Sequence, residues 1–264
     1  NNNKFRSQSN DKKGSGNMNI YFDIETIPCQ KGALDYASFL EAEKKGFKAP
    51  STLTKGKACE DLGLKGDDAK YTSKDDVISK WEKKFSEEKT PQVAEEKWRK
   101  TSFDGGYGEI ISMSWAVNGG DIDSMSRMTG ESESDLINAF FDELRPILNG
   151  RSPFFIGQFV AGFDLKFLFH RCVVLKIKPA FPLPFNGRHD KDFYCTQIAW
   201  AGFKDRMSQD NMCKALGIEG KPGDIDGSKV WDFVKAGDVK RVEEYNRDDV
   251  YKVRELHKRL TFTS

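Results

Sequence analysis

The sequence predicts an α/β fold in which a first strand is followed by a charged helical insertion and then by further strands and helices. Three observations predict it. Apolar and polar residues alternate in MNIYFDIET and again after Gly108, apolar residues recur at 3- and 4-residue steps in the segments between strands, and turn or capping residues mark the joins. At 264 residues the chain can bury a sizeable core and lies near the upper limit of what one core organises. A single domain over residues 18–264, with an insertion at about 31–105, is therefore expected.

Residues 1–17, NNNKFRSQSNDKKGSGN, have no apolar centre, and their Gly/Ser-punctuated polarity reads as a disordered arm or a vector-derived remnant. In the first strand, Ile20, Phe22 and Ile24 alternate with Tyr21, Asp23 and Glu25. From Lys31 to Ser102 about two-fifths of the residues are charged, yet Val77, Ile78, Trp81 and Phe85 recur at helical spacing. This stretch is the helical insertion. EIISMSWAV, a turn at Asn118-Gly119-Gly120-Asp121 and DIDSMSRM then make an antiparallel hairpin.

Ser132 and Asp135 resemble a capping box ahead of a helix whose apolar stripe is Leu136, Ile137, Phe140, Phe141, Leu144, Ile147 and Leu148. PFFIGQF is a buried strand. Gly162 breaks the chain before a helix with Leu165, Leu168, Phe169, Cys172 and Val173 on its inner side, so Asp164 falls at a strand-to-helix junction. Short helices end at Gly217 and Gly237, and a long last helix with Asp238 as its N-cap covers about Val239 to Leu260.

Composition excludes some classes. The chain is 38% hydrophobic and 31% charged, and no apolar run approaches the roughly 18 residues a membrane helix needs. Five cysteines without a C-x-x-C pair fit reduced thiols in a cytoplasmic protein rather than a disulfide framework or a zinc site. The arm carries Lys4, Arg6, Lys12 and Lys13 against Asp11, so of the net charge of +1 the remaining chain holds about −2. If four carboxylates are neutralised by cations, the rest is about +2, which permits a phosphate-binding face.

Asp23 and Glu25 lie two apart on a strand and project from one face, opposite Phe22 and Ile24. Alone, this pair is equally a solvated edge-strand face. On the last helix, Val242, Tyr245, Asp249, Val253 and Leu256 share one stripe, so Asp249 interrupts an apolar seam. Asp248, rotated about 100° away, is expected to reach solvent. Lys252 at i+3 is the basic neighbour available to Asp249, but its stem is expected to carry the ammonium out to water. Asp164 is a third acid set among apolar residues, with N-capping of its own helix as the competing explanation. Gathered together, such acids repel: at about 6 Å and an effective dielectric of about 20, each pair costs about 2.8 kcal/mol. Cations would be required, and an all-oxygen donor set favours Mg2+ or Mn2+ over zinc.

FDIET at 22–26, GQFVAGFDLKFL at 157–168 and YNRDD at 245–249 resemble, in order, the three exonuclease motifs of the DnaQ-like superfamily. Tyr245-x-x-x-Asp249 resembles the DEDDy subclass; the histidine subclass would place His where Glu244 stands. The stretch GDIDGSKVWDFVKAGDVKRVEEYNRDDVYKVRELHKRL is similar to predicted PolB-like 3′–5′ exonucleases over nearly forty residues. The resemblance covers about 18–30 and 106–260 and leaves the insertion outside it. In one departure, the second motif commonly reads Gly-His-Asn where this chain has Gly157, Gln158 and Phe159.

The resemblance implies a ribonuclease H-like fold, a central mixed sheet flanked by helices. It also implies removal of nucleotides from the 3′ end of a nucleic acid as nucleoside 5′-monophosphates. Asp23, Glu25, Asp164 and Asp249 would hold two Mg2+ or Mn2+, one activating water and one stabilising the leaving oxygen. Tyr245 would orient that water, since a phenol with a pKa near 10 is about one part in a thousand ionised at pH 7. Thr26 and Ile27 resemble positions that contact the terminal nucleotide. Single-stranded DNA is the preferred substrate, with RNA the alternative. Asp192 is expected to cap the helix after it rather than join the metal set. Lys221, in EGKPGDIDG, is read as a phosphate contact or a solvated lysine, and His170, His189 and His257 show no ligand spacing.

Trp81, Phe85 and Trp98 among their lysines either stack single-stranded substrate or bury themselves in the insertion's own core. Two readings of other classes stand beside the enzyme. One is a catalytically weak module that binds nucleic acid. The other is the proofreading half of a machine whose polymerase is a partner subunit, since no polymerase follows before Ser264.

Overall fold

A computed structural model describes residues 18–128, 130–219 and 224–263. It divides into two compact units, one comprising residues up to Glu25 and from Ile111 onward, the other Thr26–Ile110. Among the described residues no helix is long and apolar enough to cross a membrane.

The first unit is built on a five-stranded mixed sheet in the order β3-β2-β1-β4-β5. Its strands are β1 (Met18–Ile27), β2 (Glu109–Val117), β3 (Ile122–Ser126), β4 (Pro153–Gly157) and β5 (Phe193–Cys195); the last two residues of β1 and the first two of β2 belong to the other unit. β2 and β3 form the expected antiparallel hairpin, with Ser114 opposite Ser124. β4 runs parallel to β1, pairing Tyr21 with Ile156, and β5 runs parallel to β4. β1 is thus the central strand, which removes the edge-strand explanation of its acids.

Both faces of the sheet are covered. Phe22 packs on Phe140 of α5 (Glu133–Leu148) and on Phe155, with ring centroids 5.2 and 5.5 Å apart. The face bearing Tyr21 packs with Ala116, Ile156 and Tyr194 against Val250 and Val253 of the last helix. On that face β2 offers Ser112, Ser114 and Ala116, all fully buried, and such small side chains let a helix lie close.

The capping box at Ser132 and Asp135 is present. Ile147 is nevertheless 40% exposed, outside the stripe it was assigned to. Two helices of the parallel half follow, α6 (Asp164–Leu175) and α7 (Thr196–Ala201). The inner face of α6 also differs from expectation: Phe169 and Val173 are exposed, while Phe167 and Arg171 turn inward. The reason is an ion pair: the Arg171 guanidinium meets the Glu133 carboxylate at 2.9 and 2.6 Å, both side chains being buried. A buried charge must be paired, and this pairing sets the rotation of the helix.

The remaining helices are α8 (Gln209–Leu216), α9 (Val230–Lys235) and α10 (Val239–Leu260). Gly217 and Gly237 end the two short ones with positive φ, and Asp238 caps α10 by accepting the Arg241 amide at 3.2 Å.

The second unit is helical: α1 (Tyr36–Gly46), α2 (Lys55–Leu62), α3 (Gly66–Tyr71) and α4 (Lys74–Arg99). Its core gathers Ala58, Cys59, Val77 and Trp81, with Phe47 and Phe85 stacked on the Trp81 ring. Trp98 is buried and donates to the Cys29 carbonyl at 2.7 Å. The two tryptophans therefore serve this unit's core and are withdrawn from stacking on a substrate. All five cysteines are free and buried.

Candidate metal centre

β1 and α10 bring three acids together. Ligand oxygens of Asp23, Glu25 and Asp249 all lie within 4.8 Å of one another. Glu25 and Asp249 are buried, at 8% and 5% exposure, and Asp23 is half-buried. The strand places Asp23 and Glu25 on the face that α10 covers, and the helical stripe turns Asp249 toward them. At 4.8 Å and an effective dielectric of about 20, each ionised pair repels by about 3.5 kcal/mol.

Asp164 meets β1 at Ile24 and is not one of the three acids within 4.8 Å. The ladder between β1 and β4 ends at Tyr21 and Ile156, and beyond it the Asp164 carboxylate accepts the Ile24 amide at 3.1 Å. Asp164 is the first residue of α6 and is buried, and the N-cap position belongs to Phe163, which makes no side-chain cap. N-capping is therefore not its role. Desolvation, with the charge of Asp249 adding to it, pushes the Asp164 carboxyl up to about 7. Gly157 makes the turn between β4 and α6 feasible: a Cβ there would stand 2.8 Å from the Phe22 carbonyl and 2.8 Å from the Val160 Cβ.

Tyr245 sits one turn before Asp249, is 3% exposed, and its hydroxyl hydrogen-bonds to Asp249. Burial first, then the charges of Asp249, Glu25 and Asp23, push the phenol well above its ordinary range. It stays protonated and donates. Glu244, the position that would hold histidine in the sister subclass, is exposed, 3.7 Å from Arg241.

Two expectations about α10 are corrected. Lys252 does not reach water: it is 1% exposed, and its ammonium pairs with Asp248, four residues earlier, rather than with Asp249. Asp248 in turn is half-buried and keeps the access to solvent expected of it. Desolvating this ammonium is tolerable because a carboxylate is paired with it.

Sequence reasoning passed over several groups. Asn246 is fully buried and donates from Nδ2 to Asp23 Oδ2 at 2.7 Å; its Oδ1 accepts the Ser112 hydroxyl at 3.0 Å. Gln209 donates to the backbone carbonyl of Asp249 at 3.0 Å. Gln158 donates to the Met207 carbonyl at 2.8 Å and accepts the Thr196 hydroxyl, so the departure in the second motif fastens neighbouring segments to the end of β4. Phe159 follows with a φ of 56° and carries the Arg206 guanidinium 5.5 Å above its ring. The hydrogen-bonding residue types were visible in the sequence, but their partners, 40 or more positions away in most cases, were not.

An open pocket of about 420 Å³ reaches the acids, lined by Asp23, Gln158, Gln197, Arg206, Met207, Ser208, Gln209 and Asp249. Anionic walls thus meet amides and one guanidinium. The donor set is carboxylate oxygen throughout, which fits a hard divalent cation.

Thr26 and Ile27 belong to the second unit, where Thr26 donates to the Ser102 carbonyl at 2.8 Å and Ile27 is 2% exposed. Asp192 accepts the Arg188 amide at 2.7 Å within a loop and does not cap α7, whose N-cap is Cys195. His189 lies 3.0 Å from Asp190, and His257 meets the Tyr21 hydroxyl at 3.1 Å. Lys221 lies outside the described residues.

A family model described as a predicted 3′–5′ exonuclease related to the exonuclease domain of PolB matches residues 107–262. Among solved structures, the family B DNA polymerase from the hyperthermophilic archaeon Pyrobaculum calidifontis is similar over 60% of this chain at 17% identity, with a TM-score of 0.45. The match spans 22% of the polymerase chain. No curated protein matches.

Proposed function

The chain belongs to the family of predicted 3′–5′ exonucleases related to the exonuclease domain of PolB, and from that membership we propose that it hydrolyses phosphodiester bonds at the 3′ end of a nucleic acid. The products are nucleoside 5′-monophosphates, and single-stranded DNA is the preferred substrate. The observation that carries this reading is the approach of the Asp23, Glu25 and Asp249 carboxylates within 4.8 Å in a largely desolvated setting. Acids so placed are tolerable once divalent cations neutralise them.

Asp23, Glu25, Asp164 and Asp249 would hold two Mg2+ or Mn2+. The chemistry supplied by such cations, when bound, is neutralisation of phosphate charge and acidification of a water molecule. The chain's own residues do the rest. Tyr245, held protonated, orients the attacking water as a donor and takes no proton from it. The pocket beside Asp23 and Asp249 receives the terminal nucleotide, with Arg206 supplying the cation that meets phosphate or a base face. Thr26 and Ile27 enter the reading as nucleotide contacts, to be checked by the KM of Thr26→Ala.

The test is digestion of matched DNA and RNA oligonucleotides labelled at either end, with Mg2+, Mn2+ or chelator. Metal-dependent release of labelled mononucleotide from the 3′ label supports the proposal. Binding without cleavage, or digestion starting from the 5′ end, overturns it.

A further inference from the structure

Ser112 and Asn246 are both fully buried, one on the central part of β2 and one on α10, where the facing residues are otherwise apolar or small. Burying a hydroxyl and a carboxamide is costly unless their hydrogen bonds are made. They are made in a line: Ser112 Oγ donates to Asn246 Oδ1 at 3.0 Å, and Asn246 Nδ2 donates to Asp23 Oδ2 at 2.7 Å.

The direction of this line is fixed by chemistry. An ionised carboxylate accepts and never donates, so the amide nitrogen must face Asp23. The amide oxygen then faces Ser112, whose hydroxyl must donate to it. Asp23 therefore selects the orientation of the Asn246 amide, and Ser112 supports that orientation by donating to the amide oxygen.

We propose that Ser112 and Asn246 are positioning residues that clamp the Asp23 carboxylate for cation binding, acting from β2 through α10 onto β1. The Asn246 amide fixes the direction of one Asp23 oxygen. Partners of this kind behind a metal-binding carboxylate typically contribute ten- to hundred-fold in affinity, roughly, when removed singly. The inference rests on the reading that the acid cluster holds divalent cations.

The experiment is direct Mn2+ binding to the full chain, read by electron paramagnetic resonance, for the native protein and Asp23→Ala, Asn246→Ala, Ser112→Ala and Ser112→Thr. Unfolding in chelator is measured in parallel. Asn246→Ala is expected to weaken Mn2+ binding about ten-fold and Ser112→Ala about three-fold, with Ser112→Thr nearer the native affinity because it keeps the hydroxyl, its added methyl lowering stability instead. A purely structural role would lower stability in chelator and leave Mn2+ affinity alone, and that result overturns the proposal. Should Asn246→Ala fail to fold, the Ser112 pair decides. If the native protein and Asp23→Ala bind Mn2+ equally, the cation reading itself fails and the clamp falls with it. Native-like binding by the folded Asn246 and Ser112 variants sinks the clamp alone.

Discussion

The Asp164 carboxylate accepts the amide hydrogen of Ile24 at 3.1 Å, across 140 residues of chain, at the residue between the two acids of β1. Its proton is held more tightly in the folded chain than in the unfolded one, because burial pushes the carboxyl from 3.8 up to about 7. For an acid shifted upward, the favourable contribution is complete below the ordinary value and is lost as pH rises through the folded one. Without divalent cations, stability to denaturant should therefore fall between about pH 4 and pH 7. Asp164→Asn should flatten that slope, and Mg2+ added at pH 8 should recover the loss. A native profile with no slope in chelator would refute the account.

Asp249→Asn should lower the cleavage rate at saturating Mg2+ by about a thousand-fold, equivalent to about 4 kcal/mol of lost stabilisation. In chelator the same variant should unfold no more easily than the native chain, since one of the repelling charges is gone. Single-turnover kinetics and thermal unfolding, measured together, check both halves.

Tyr245→Phe removes a donor and no base. Its turnover should fall about ten-fold with KM held, roughly the worth of one hydrogen bond to a charged group. A drop of roughly 10²–10⁴ with a changed pH–rate profile would instead mark proton transfer.

Arg171→Ala should destabilise the fold by about 3–5 kcal/mol, because it strands the buried Glu133 carboxylate. Exonuclease turnover per folded molecule should stay at the native value. Replacing both partners, Arg171→Met with Glu133→Leu, should recover most of the loss. Denaturant titration of the three variants is the measurement.

Where local periodicity decides, the sequence was readable. Asp23 and Glu25 share a face because a strand repeats every two residues, and Asp249 joins them because a 22-residue amphipathic helix has one inner stripe. Where long-range pairing decides, it was not. Nothing near Lys252 signals burial, although its ammonium finds Asp248 one turn earlier on the same helix. Phe169 and Val173 look like core residues until Glu133 claims Arg171 and turns α6. Asn246 reads as a polar neighbour of Tyr245, and its worth depends on Ser112, 134 residues earlier. Gly157 is legible only afterwards, once the Phe22 carbonyl stands where a methyl would go.

The acids come from the first strand and the last helix, and this has a consequence for biosynthesis. A ribosome has made Asp23 and Glu25 long before Val239, so an emerging chain carries two of the three clustered acids throughout most of its synthesis. A nascent product halted ahead of α10 would lack Asp249, Tyr245 and the Asn246 clamp alike, and should retain no Mn2+. Nuclease competence would then arrive with the final helix, leaving unfinished copies harmless to the nucleic acids around them.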